Sequence, residues 1–190
     1  MPPTIAGVVG SLREQSVTRI AVREAIAAAD RTGADTRVLD LRDFDLPVFD
    51  ADERDAGDAP AFREAIRAAD AFVLGTPVYH GSFSAPLKNA LDYCRFAEFE
   101  NKTVGMVAVA GGSFPLTALD HLRSAMRALD TWVLPFQVAV PNASDVTADG
   151  QLADEELEER LETLGRRTVQ YANIEPDPMT FEGQQNVGAR

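Results

Sequence analysis

Apolar positions recur along the chain with two different periods. Residues 4–9 form an apolar run without alternation, which predicts a central strand covered on both faces. From 17 to 30 the period becomes helical, with Val17, Ala21, Ala25 and Ala28 on one side and Arg19, Arg23 and Asp30 on another. Gly33 closes that helix, and Thr36 to Leu41 reads as a second strand. Residues 42–58 are acidic and irregular around Leu46-Pro47-Val48-Phe49, long enough to favour a surface or interface role. A short helix is predicted from Pro60 to Ala69, with proline in its first turn, and a third strand over Phe72 to Thr76. Residues 84–96 read as helix, Thr103 to Ala110 as strand four, and Pro115 opens a helix carrying Leu119, Leu122, Met126 and Leu129. Trp132 to Val140 is strand five, and a helix over 153–172 stripes Leu157, Leu161, Leu164 and Tyr171. Five strands alternating with five helices predict an α/β fold, a parallel sheet with helices on both faces. Neither an internal repeat nor a second domain is visible. Residues 1–173 form one domain, and 174–190, holding Pro, Gly and Gln, read as a mobile tail or an arm at an oligomer interface.

Ligands of such sheets bind at the carboxyl edge, here reached by the turns after strands one, three and four. The first, Gly10-Ser11-Leu12-Arg13-Glu14-Gln15-Ser16-Val17-Thr18, is a strand-to-helix turn with three hydroxyls and a guanidinium. A helix N-terminus offers unpaired N–H groups and a positive dipole end, which suit a phosphate. With Arg13 and the hydroxyls of Ser11, Ser16 and Thr18 beside it, the turn reads as a seat for a mononucleotide phosphate, FMN above all; it carries neither Gly-x-x-x-x-Gly-Lys nor Gly-x-Gly-x-x-Gly. An ordinary hydroxyl-capped helix start is the competing reading of this turn alone. The second turn, Pro77-Val78-Tyr79-His80-Gly81-Ser82-Phe83, reads as a loop that offers a flat ligand an aromatic ring and backbone groups. In the third, Gly111-Gly112 permits close backbone approach.

Composition narrows the partners. The formal net charge is −12, and only Lys88 and Lys102 among the 18 basic residues are lysine. That surface argues against nucleic acid and anionic membrane, and resembles halophilic proteins. A lone cysteine, Cys94, excludes an internal disulfide and a multi-cysteine metal site. No apolar run approaches the roughly 20 residues of a membrane span, and Met-Pro-Pro-Thr lacks a signal peptide's regions, so a cytoplasmic location is expected.

Gly10-Ser11-Leu12-Arg13-x-x-Ser16, Thr76-Pro77-Val78-Tyr79-His80-Gly81-Ser82-Phe83 and Leu87-Lys88-Asn89-Ala90-Leu91-Asp92 together resemble the NADPH-dependent FMN reductase family, over about residues 4–172. The resemblance implies a flavodoxin-like three-layer sandwich whose five-stranded parallel sheet has the order 2-1-3-4-5. It implies FMN as cofactor, NADPH or NADH as co-substrate, and a quinone, free flavin, azo compound or metal as acceptor. Ser11, Arg13, Ser16 and Thr18 would surround the phosphate, with Val17 beside them in the cofactor-binding set. Pro77, Val78, Tyr79, His80, Gly81 and Ser82 would line the isoalloxazine and ribityl chain, and Gly111 and Gly112 the pyrimidine side. Many relatives carry Asn where Thr18 stands, and Glu-Tyr-Asn where this chain reads Val78-Tyr79-His80. No side chain is named as catalytic, because the flavin does the difficult chemistry, and His80 is the candidate proton donor near the ring. Relatives commonly form homodimers or homotetramers. Two other readings stand beside the enzyme: a flavodoxin-like electron carrier, and a nucleotide-binding module using Asp40 on a ribose hydroxyl.

Overall fold

The computed structural model describes residues 1–148 and 150–174. Five elements build the parallel sheet: β1 (Thr4–Val9), β2 (Asp35–Asp40), β3 (Ala71–Tyr79), β5 (Thr103–Val109), and a fifth strand in two pieces, β6 (Trp132–Val133) and β7 (Val138–Val140). Their order is β2-β1-β3-β5, followed by β6 against the start of β5 and β7 against its end, all parallel. Counting β6 and β7 as one interrupted strand, this is the expected 2-1-3-4-5 order. The helices are α1 (Val17–Arg31), α2 (Ala59–Arg67), α3 (Ala85–Tyr93), α4 (Phe96–Phe99), α5 (Leu116–Ala128) and α6 (Glu155–Gln170). One core lies under α1 and α6, including Val22, Ala25, Leu161 and Leu164; the other lies under α2 to α5, including Phe62, Leu87, Phe99 and Leu122. No helix of the described residues is long and apolar enough to cross a membrane.

Three expectations are corrected, and one element is added. The stretch 77–83 is not a loop but a β-hairpin: β3 runs on to Tyr79 and pairs antiparallel with β4 (Ser82–Phe83). His80 (φ 50°) and Gly81 (φ 77°) supply the two left-handed residues that a tight two-residue turn requires. The helix expected over 84–96 stops at Tyr93, because Cys94 and Arg95 adopt extended backbone. The single turn α4 then restarts, with Glu98 accepting from the Arg95 backbone N–H and from Arg67. Strand five is interrupted over 134–137, where Pro135 has no N–H for the ladder. A small hairpin of β8 (Thr147–Ala148) and β9 (Gln151–Leu152), too short to leave a periodic signal, precedes α6. The tail expected over 174–190 lies, from residue 175 on, outside the described residues.

The acidic segment 42–58 is strapped to the body by side chains of α3. The Asn89 amide donates to the Leu46 and Pro47 carbonyls at 3.2 and 2.8 Å, and its oxygen accepts the Phe49 N–H at 2.8 Å. Tyr93 OH donates to the Pro47 carbonyl at 3.0 Å, and its ring meets Phe49 edge-on. Cys94, beneath α3, is buried, and that burial with Glu98 nearby pushes its thiol up to about 12. At pH 8 the thiol is therefore held in its neutral form, and the thiolate is the reactive one. A maleimide probe is expected to leave the native protein unlabelled over hours at pH 8 and to label it fully in denaturant. Rapid native labelling contradicts that packing.

Candidate phosphate-binding cleft

The first two turns are nailed together at their roots. Gly10 N–H donates to the Gly75 carbonyl at 2.8 Å, and a β-carbon on Gly10 would come within 2.9 Å of that oxygen, so glycine is required there. Ser84, the N-cap of α3, donates from Oγ to the Gly10 carbonyl at 2.6 Å and from its backbone N–H to Thr76 Oγ1 at 2.9 Å. From this anchor Leu12, Arg13, Glu14 and Gln15 run out into solvent before Ser16 turns the chain into α1. Ser16 has extended backbone, and its Oγ accepts the Arg19 N–H at 3.2 Å. Val17 and Thr18 begin the helix, so their N–H groups have no acceptor within it.

An open cleft of about 880 Å³ lies beside this turn. It is bounded by residues 13–17, by Arg19, Ile20 and Arg23 of α1, by Gly111, and by Ala143, Ser144, Thr147 and Gly150. Three arginines therefore converge on it in a chain of net charge −12. Among the described residues the Arg13 guanidinium has no partner, and Arg19 Nη2 is the one buried side-chain nitrogen or oxygen left unsatisfied. Unpaired cations, an open helix N-terminus and this volume fit a phosphorylated small molecule. The residues fit an FMN phosphate.

The structure brings Arg13, Ser16, Val17 and Gly111 into that one cleft. Ser11 is buried behind it, its Oγ 3.4 Å from the Arg13 N–H. Thr18 is buried too, its γ-methyl turned towards Gly75. The second turn does not line the cleft. Pro77 is buried in β3, Val78 is half-buried, Tyr79 is 50% exposed, and His80 and Gly81 form the exposed tip. The hairpin packs against α5, where Ser82 Oγ lies 3.1 Å from Nδ1 of His121, a residue the motif reading passed over. A β-carbon on either Gly111 or Gly112 would meet nothing within 4 Å, so this chain's own packing does not demand glycine there; both face open space.

Two residues depart from their expected places. Arg19, placed outward by the helical wheel, is 8% exposed and paired with Asp40, Nε to Oδ2 at 2.5 Å. Asp40 is equally buried and also accepts the Arg42 N–H at 3.1 Å. It is committed within the protein, which removes the reading that gave it a ribose hydroxyl. The turn after β7, which no motif marks, leaves the same sheet edge. Asn142 N–H donates to the Gly112 carbonyl and Ala143 N–H to that of Ala110, tying this fourth turn to the third.

A parallel sheet of order 2-1-3-4-5, with a donor-rich helix start at its carboxyl edge, defines a flavodoxin-like α/β protein. Within that class the chain belongs to the NADPH-dependent FMN reductase family, whose profile matches residues 3–145. It is 30% identical over 182 residues to the FMN-dependent NADPH-azoreductase of Staphylococcus haemolyticus, across 89% of this chain and 95% of that one. Its fold is similar to that of FerB, a flavoenzyme NAD(P)H:(acceptor) oxidoreductase from Paracoccus denitrificans (TM-score 0.73, 22% identity, 90% of this chain and 97% of that one). The NADH:FMN oxidoreductase EMOB is similar as well (TM-score 0.70, 21% identity, 92% of each chain). The chain is thus an FMN-dependent NAD(P)H oxidoreductase, and the family and fold expected from the motifs are both borne out.

Proposed function

We propose that the chain carries FMN with its phosphate at residues 11–18 and oxidises NADPH or NADH to reduce a quinone, free flavin, azo compound or metal. The observation that supports this most is the Arg13 guanidinium, without a partner among the described residues, beside the open N-terminus of α1. Bound FMN supplies the two-electron redox chemistry that no protein side chain offers. The chain's own part is to bind and orient it. Arg13, Ser11 and Ser16 address the phosphate with the N–H groups of Val17 and Thr18. Pro77, Val78, Tyr79, His80, Gly81 and Ser82 flank the ring system, and Gly111 and Gly112 leave room for its polar edge. Residues 1–173 act as the FMN-binding domain.

Anaerobic mixing of FMN-loaded protein with NADPH is expected to bleach the flavin's visible absorption, and an added azo dye or quinone to restore it. A flavin that stays oxidised favours the electron-carrier reading. The acidic surface supports a cytoplasmic protein adapted to high salt, without nucleic acid or membrane partners, and exposed Leu12, Val48 and Phe114 near the sheet edge support a homodimer or homotetramer. Sedimentation at assay salt and unfolding midpoints in molar KCl test these: a monomer, or a midpoint that does not rise with salt, removes the corresponding part.

A further inference from the structure

We propose that Arg19, held by Asp40, is a positioning residue for the phosphate turn: it clamps the turn's backbone so that Arg13 and the neighbouring N–H groups face an anion. This rests on the reading that residues 11–18 hold the FMN phosphate. Arg19 Nη1 takes the carbonyls of both Arg13 and Glu14, at 3.1 and 2.9 Å, while Nε binds Asp40 at the end of β2. The turn has little else to hold it, since the side chains of residues 12–15 are exposed and the Ser11 contact to Arg13 N–H is long.

The direction of the clamp matters. In a trans peptide the carbonyl and the following N–H point opposite ways. Drawing the carbonyls of Arg13 and Glu14 onto the guanidinium therefore turns the N–H groups of Glu14 and Gln15 away from it. Both residues line the cleft, so successive N–H groups are presented there as an anion-binding concavity. A buried ion pair is a poor stabiliser compared with an apolar side chain of the same volume, and this one leaves Nη2 without a partner. What an apolar residue cannot do is hold two consecutive carbonyls on one nitrogen, Nη1, while a second, Nε, grips Asp40; that planar fork is the guanidinium's own. Asp40 completes the device by fixing the guanidinium's angle and offsetting its charge, which leaves Arg13 and Arg23 as the cleft's cations without a partner among the described residues.

Arg19→Met and Arg19→Lys test this, the second keeping the charge and removing the planar fork. Two readouts are used on the full chain. The first is trypsin cleavage of the Arg13–Glu14 bond in cofactor-free protein, mapped by fragment mass. The second is the dissociation constant for FMN against that for riboflavin, which lacks the phosphate. Both variants are expected to be cut at that bond about tenfold faster and to bind FMN about tenfold more weakly, with riboflavin affinity unchanged. Unchanged cleavage overturns the clamp. Faster cleavage with unchanged FMN affinity overturns the positioning role, and if Arg13→Ala still weakens FMN in the same assay, the phosphate reading survives. Full FMN affinity in Arg19→Lys shows that charge and not the fork matters, and also overturns it. Equal FMN and riboflavin affinities in the unsubstituted chain remove the phosphate reading and this inference together.

Discussion

Gly165→Val is expected to cost the fold about 3 kcal/mol or more, read as a drop in the urea midpoint at unchanged slope. The reason lies where α6 crosses α1. A β-carbon on Gly165 would overlap the Ala25 carbonyl oxygen and stand 3.0 Å from its carbon and 3.1 Å from the Ala28 β-carbon. These are backbone and near-backbone atoms, so no rotamer change makes room. The helices must separate, and Leu161 and Leu164, fully buried in the core they share with Val22 and Ala25, then lose packing. Because α1 also carries the cleft, the damage reaches the ligand end of the same helix. Gly111→Ala is the control: its β-carbon faces open space, and the midpoint is expected to stay put. An unchanged midpoint for Gly165→Val contradicts the close crossing.

Arg13→Ala is expected to weaken FMN binding about 10- to 100-fold with no loss of stability. Its side chain is exposed and makes no hydrogen bond or ion pair with any described residue, so its removal leaves no buried group unpaired. Any effect of its removal on FMN affinity is therefore separable from an effect on the fold. Parallel titrations and urea melts separate the two effects. A fall in stability with unchanged affinity reverses the assignment.

Much of this architecture is legible in the sequence because the central strands are continuous apolar runs and the longer helices keep a clear period. Residues 4–9 and 103–109 are buried along nearly their whole length, which is what an unalternating run predicts. The failures share a physical origin. The 77–83 hairpin is hidden because His80-Gly81 turns within a two-residue span, and two paired positions are too few for alternation to show. The α3 break at Cys94-Arg95 carries neither glycine nor proline, so no local signal marks it. Arg19 escapes because a helical wheel ranks a side chain only against its own helix. Its burial comes from Asp40 on β2 and from carbonyls of the preceding turn. The phosphate turn was visible because hydroxyls, arginine and glycine cluster at a strand-to-helix junction. The contribution of Ala143, Ser144, Thr147 and Gly150 is not, because the turn after β7, although it carries Pro141, Ser144 and Gly150, has no arginine and joins the site only through its ties to the third turn.

The most direct test compares FMN with riboflavin on the unsubstituted protein by equilibrium titration. A phosphate seated at the junction of β1 and α1 predicts FMN tighter by about 100-fold, with the advantage shrinking as inorganic phosphate is added. Equal affinities, insensitive to phosphate, contradict it.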